Sequence, residues 1–376
     1  MPVDRAWLSR NLGVADAEEL GATATAPSAQ EPDRAIARDL IDFDSEGPAG
    51  QAFQATAPKT STGLSKFVDI DWPQRLAPTP GERPTGESLP RGDVLMVTWT
   101  VDEGHALSRV LTPGFDSKSD WQPYTKNFDQ IATKMRAGCP ARDARNLGTY
   151  WTTAIGTKHV ILFKSNSHMS QDGPQLPNAL VWAQIIQDVQ PQWVITTGTG
   201  GGIGPAFEVG DVIVSRFVAF DCKKEFKELN GESFACATNP PDARFSEAET
   251  LFRFNAGSLP ADNKRAPQIV IPDSPQTGIL TTDFFGFDNT DNTYQLQGRG
   301  DLSEMGDAVL GKVCQEMGSQ APRYTIVRNV SDPQIDSSDM TLEQQTNVAG
   351  SIYKAFGRWS SVCSAIVCWS IVAALT

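Results

Sequence analysis

The chain has 376 residues, 40% of them hydrophobic and 20% charged, the composition of an ordinary globular protein long enough to bury a substantial core. Acidic residues outnumber basic ones 45 to 32, the formal net charge is −13, and no Lys/Arg run offers a local exception, so general nucleic-acid binding is excluded. Six cysteines without a matched C-x-x-C pair, and only three histidines, argue against structural zinc and for reduced, buried thiols. Residues 1–90 are rich in Ala, Asp, Glu, Pro and Thr and poor in large apolar side chains. They are expected to form an extended arm with one short helix over residues 35–43 and a linker over residues 77–86, packing on the surface or on a neighbouring subunit. No charged-then-apolar run opens the chain, so no signal peptide is expected and the location is read as cytoplasmic.

A second unit is expected over residues 91–376. The apolar run at 94–100 reads as a strand buried on both faces, and residues 103–111 as a helix. Strands follow near 151–155 and 159–163. Residues 178–189 form an amphipathic helix whose predicted stripe is Ala179, Trp182, Ala183, Ile186 and Val189. Strands are expected at 193–197 and 211–215, and a polar insertion or surface loops over 223–268. Then come a strand at 278–282, a helix over 303–317, a strand at 324–330 and a helix over 341–375. Residues 359–375 are barely long enough to span a bilayer, and their serines favour a terminal helix packed on the core over a membrane anchor. Strands alternating with helices predict a mostly parallel sheet covered by helices.

The strongest local signal is TTGTGGGIGP over residues 196–205. Glycines directly after a buried strand let backbone N–H groups approach a ligand closely. A dinucleotide fingerprint does not fit, because the sixth position counted from Gly198 is Ile203 and from Gly200 is Pro205, with no crossover helix behind. A P-loop would need Gly-Lys-Ser/Thr, which is missing. A plain structural turn stays open. Carboxylates stand out at two places beside this run: the pair Asp102-Glu103 after the first strand, and Asp332, preceded by Ser331, after the last. Alone, the first reads as a helix N-terminal pair and the second as turn chemistry.

The succession of a buried strand, TGTGGGIGP and then VGDVIVS resembles the nucleoside phosphorylase and nucleosidase superfamily, above all its methylthioadenosine/adenosylhomocysteine nucleosidases. The resemblance implies a three-layer α/β/α sandwich with a central mixed sheet, partly curled into a barrel. It implies that the glycine turn lies against base and sugar, which assigns substrate contacts to Thr197, Gly198, Thr199 and Gly200. Asp332, with Ser331 beside it, would donate a proton to N7 of a departing purine. An N-glycosidic bond breaks through an oxocarbenium-like state, and an acid of raised pKa neutralises the charge on the leaving base. Glu103, with Asp102 second, would orient the attacking water. Glu304-Met305-Gly306-Asp307 resembles the family's Glu-Met-Glu signature, in which the second Glu grips the ribose hydroxyls. Here Gly306 replaces it, so Asp307 or Glu304 is expected on the sugar, with Met305 beneath it. Thr281–Asp283 resembles the family's Ser-Gly-Asp segment, which brings in Asp283 and, for stacking on a base, Phe284 with Phe285 and Phe287.

Water is the expected nucleophile, because the position before the glycines carries no arginine and the family's early phosphate-binding loop is absent. Arg216, Arg299 and Arg328 keep a phosphorylase open as the alternative. A nucleotide hydrolase would need a basic pocket from Lys223, Lys224 and Lys227, and the Gly306 departure leaves room for a binding module without chemistry. The expected ligand is a purine-type or 5′-modified nucleoside. No metal or organic cofactor is implied, nor a membrane or nucleic-acid partner, and a homo-oligomer is expected in which a neighbour completes the site.

Overall fold

A computed structural model describes residues 2–14, 32–56, 67–73 and 75–376. Among the described residues, thirteen strands join in one mixed sheet: β1 (Thr79–Pro80), β2 (Val94–Thr98), β3 (Gln122–Tyr124), β4 (Gly148–Ile155), β5 (Lys158–Ser165), β6 (Trp193–Gly202), β7 (Val212–Ser215), β8 (Phe217–Asp221), β9 (Ser233–Ala235), β10 (Ile269–Val270), β11 (Ile279–Thr282), β12 (Leu302–Glu304) and β13 (Arg323–Asp332). The main path runs β1-β4-β5-β2-β6-β12-β11-β8-β9, and β13 lies between β6 and β7. Strands β5, β2, β6 and β13 are mutually parallel, and β12 pairs antiparallel with the far end of β6.

Continuous apolar runs make this sheet because both faces are covered. In β2, Val94 and Met96 join the core under the Val101–Leu111 and Leu342–Ala374 helices, while Leu95 and Val97 join the core under the Pro177–Val189 and Asp307–Met317 helices. The Leu342–Ala374 helix starts with a capping box between Thr341 and Gln344. It is long and apolar enough by composition to cross a membrane, yet 89% of its most apolar window is buried inside the protein.

Several elements differ from expectation for identifiable reasons. The glycine run is not a turn: β6 continues through Gly202, paired with β13 and then β12. Residues 303–306 are not helical, because Leu302–Glu304 pairs with β11 and the helix begins at Asp307. The buried stripe of the Pro177–Val189 helix is Asn178, Val181, Trp182, Ile185, Ile186 and Val189, and Ala183 faces solvent. The supposed polar insertion at 223–268 contains β9 and the Phe245–Leu251 helix, and buries Phe226, Phe234, Phe245 and Phe252. Of the expected arm, residues 15–31 and 57–66 lie outside the described residues. The Arg5–Asn11 helix sinks Trp7 and Leu8 into the main core, and a Pro32–Asp42 helix crosses towards the Leu342–Ala374 helix, where Leu40 and Phe43 pack on Tyr353.

Candidate active site

A cavity opens at the carboxyl ends of β5, β2, β6 and β13, where open α/β sheets hold their ligands. The end of β13 supplies Arg328, Ser331 and Asp332, and β6 supplies Thr199, Gly200 and Gly201. The end of β12 and the residues behind it add Ser303, Glu304, Met305 and Gly306. Trp99, Thr100 and Glu103 follow β2, and His168 follows β5. Tyr353 comes from the long C-terminal helix, and Ala37, Leu40 and Ile41 from the Pro32–Asp42 helix.

Asp332 is buried beside Ser331, whose hydroxyl donates to Oδ1 at 2.7 Å. Burial pushes its carboxyl up to about 7, against a weaker downward pull from Ser331. A bulge between Val330 and Asp332 sets the side chain opposite Gly201. A Cβ at Gly201 would stand 2.8 Å from Asp332 Oδ2, so that glycine keeps the carboxyl reachable.

Glu103 closes a capping box with Thr100 at the start of the Val101–Leu111 helix. Its Oε2 accepts from Thr98 Oγ1, Trp99 N and Thr100 N, and its Oε1 from Thr199 N and Thr199 Oγ1, both at 2.8 Å. Burial would raise this carboxyl, but the Arg328 charge and these donors hold it below the usual range. Glu103 is therefore a pinned anion. At Gly198, φ is +157°, and a Cβ there would meet Glu103 Oε1 at 2.6 Å and Arg328 Nη1 at 2.7 Å. Gly198 thus leaves room for both charged groups beside the backbone.

Arg328 is the centre of the charge network. Its Nε and Nη2 grip Asp307 at 2.7 and 2.8 Å, its Nη1 donates to Thr199 O at 3.2 Å, and its guanidinium lies over Trp99 at 4.8 Å. Glu304 accepts from Gly306 N at 2.6 Å, from Asp307 N at 2.9 Å and from the Thr281 hydroxyl. Burial and the neighbouring Asp307 push its carboxyl up.

The cavity thus gathers Glu103, Thr199, Gly200, Glu304, Met305, Ser331 and Asp332 from the sequence-predicted set. It does not gather the others. Thr197 is buried, and Gly198 packs against the Glu103 and Arg328 side chains. Asp307 is fully buried, is bound to Arg328 and does not line the cavity. Asp283 is a loop cap: its carboxylate accepts from the backbone N–H groups of Lys223, Lys224 and Phe226. Phe284 is core, stacked on Tyr294 at 5.2 Å, while its neighbour Phe285 reaches the cavity. Asp102 faces the other way and accepts from Ser45 N and Oγ.

Arg216 and Arg299 turn to Cys236 O and Asp221, and none of Lys223, Lys224 and Lys227 lines the cavity. Lys223 donates to Tyr294 O, and Lys224 pairs with Asp33. Sequence reasoning missed Trp99, His168 and Tyr353. Arg328, four residues before Asp332 on one strand, was named from the sequence only as a candidate for holding phosphate.

The family profile described as "Phosphorylase superfamily" matches residues 123–358, more than half of the chain. This chain belongs to the phosphorylase superfamily. No curated protein matches it. Among solved structures it is similar to a 5′-methylthioadenosine/S-adenosylhomocysteine nucleosidase from Neisseria meningitidis, at 17% identity and TM-score 0.44, covering 75% of this chain and 99% of that one. An S-adenosylhomocysteine nucleosidase from Streptococcus pyogenes is 17% identical at TM-score 0.45, with 77% and 99% covered. The futalosine hydrolase of Helicobacter pylori is 14% identical at TM-score 0.44, with 74% and 96% covered. The mixed α/β architecture with one large mixed sheet is the fold of this superfamily.

Proposed function

We propose that this superfamily member hydrolyses the N-glycosidic bond of a purine-type nucleoside, with Asp332 as the acid at the departing base. The observation that carries this reading is the buried Asp332 carboxyl, lifted to about 7, which borders the cavity beside Gly201 with Ser331 as its hydrogen-bond partner, whereas the raised Glu304 carboxyl is tied to Thr281 and to the backbone N–H groups of Gly306 and Asp307. Such a group holds its proton near neutrality and is placed to share it as the base leaves. Glu103 and Arg328 stand in the same cavity. The pinned Glu103 anion faces the cationic sugar and orients the water. Its lowered pKa suits it to charge stabilisation more than to proton storage.

Water is favoured over phosphate by charge. Among the described residues lining the cavity, Arg328 is the only permanent cation, and Asp307, Glu304 and Glu103 surround it. A dianion would find little uncompensated positive charge there.

A panel of purine nucleosides, incubated with and without phosphate, tests the reading. Base release without phosphate is expected from at least one member. Asp332→Asn should lower it by roughly 10²-fold or more, the usual worth of a positioned acid. Strict phosphate dependence, or full activity in Asp332→Asn, would overturn the reading.

A further inference from the structure

Tyr353 reaches the cavity from the Leu342–Ala374 helix and is buried. Its phenol donates to Thr100 Oγ1 at 2.8 Å. The same oxygen accepts from Glu103 N at 3.1 Å and so caps the Val101–Leu111 helix. A threonine hydroxyl has two acceptor sites, and these two donors fill both and fix its rotor. Burial, with the charges of Glu103 and Asp102 behind it, holds the phenol well above its usual range. Tyr353 is therefore a neutral O–H donor at any working pH. Packing holds the ring in turn. Leu40 and Phe43 lie against it, and Gly357, one helical turn on, leaves it room, since a Cβ there would stand 2.9 Å from Tyr353 Cδ2.

The tether holds a turn that matters to the site. Residues 98–100 lead from β2 into the helix, and three donors from them meet one oxygen of Glu103. Thr98 Oγ1, Trp99 N and Thr100 N lie 3.0, 3.1 and 2.9 Å from Oε2. They converge because the cap fixes the direction in which strand gives way to helix. Thr199 N and Oγ1 then take the other oxygen, Oε1. Tyr353 acts on this arrangement from 253 residues further along the chain.

We propose that Tyr353 is a positioning residue for Glu103, acting through the Thr100 hydroxyl to keep the carboxylate aimed into the cavity. The proposal rests on the reading of Glu103 as the anion that orients the water. Leu40 and Phe43, which lie outside the segment matching the family profile, support the reaction through the same ring.

Tyr353→Phe tests this, with Thr100→Val as the variant that cuts the tether from its other end. Tyr353→Phe should lower kcat for base release roughly 10-fold and leave KM within about twofold. Thr100→Val alone should reproduce the kcat loss. In that background Tyr353→Phe should cost less than about twofold more, since the route is already cut. Amide hydrogen exchange gives a readout without turnover. The Glu103 and Thr199 N–H groups, both bonded into the network, should exchange at least about fivefold faster in Tyr353→Phe. A merely structural tyrosine would lower the melting temperature without moving kcat, and would leave these two amides no faster than their neighbours. Unchanged kcat, equal losses in the two backgrounds, a loss confined to KM, or unchanged exchange at both amides would each overturn the proposal. Faster exchange at both amides in a chain that releases no base would leave Tyr353 assigned and sink the hydrolytic reading instead.

Discussion

At the scale of the residue, Asp332 sets the pH behaviour. Its carboxyl is lifted from 3.8 to about 7, so the folded chain holds this proton more tightly than the unfolded chain. The sign follows. Ionising a buried carboxyl costs stability, and the loss grows as pH rises from about 4 to about 7, then stays constant. Asp332→Asn should therefore melt above the wild type at about pH 8, with the difference vanishing below about pH 4; thermal melts at the two pH values decide it. Base release by the wild type should fall as pH rises past about 7, where the acid form is lost, and a pH profile of kcat locates that limb. Asp332 was legible in the sequence because a Ser-Asp pair at a strand end is local. The Glu103–Arg328–Asp307 network was not. Glu103 lies more than 200 residues from the other two members, and Asp307, expected on the sugar, proves to be committed to an arginine.

At the scale of the element, long apolar runs such as Val94–Thr98 announced themselves, since both faces of that strand are buried. The TTGTGGG segment misled, because glycine is the usual mark of a turn. It is strand because β13 and β12 pair with it, and glycine because Glu103, Arg328 and Asp332 crowd its surface. The Asp283 loop gives a test at this scale. Three backbone N–H groups of the 223–226 turn converge on that carboxylate. Asp283→Ala should cost roughly 1 kcal/mol in denaturant unfolding while leaving kcat/KM within about threefold, since it removes the acceptor of part-buried and exposed backbone donors outside the cavity. A large loss of activity at unchanged stability would return Asp283 to the substrate.

At the scale of the whole molecule, two cores on opposite faces of the sheet hold the strand ends where the cavity forms. The Leu342–Ala374 helix is central to one of them. Trp369 is fully buried, packs at a tilt against Trp72 with ring centroids 4.7 Å apart, and donates through Nε1 to Leu76 O at 2.7 Å. Trp369→Ala should destabilise the chain by about 3–5 kcal/mol, read from the shift in denaturant midpoint at constant slope. A shift under about 1 kcal/mol would mean that this helix does not anchor the fold. The same helix turns Tyr353 towards Thr100, at 2.8 Å, and so ties the core to the rim of the site.

By itself, the sequence determined the alternation of strands and helices, the apolar faces, the superfamily motifs and the carboxyl at the end of the last strand. All of these are patterns within a few turns of chain, where periodicity and local geometry act directly. Only the tertiary structure decided which carboxylates are free, which glycines make room for charges, and that His168 and the Pro32–Asp42 helix border the cavity. Those outcomes depend on burial and on pairing between distant segments, and short-range spacing carries neither.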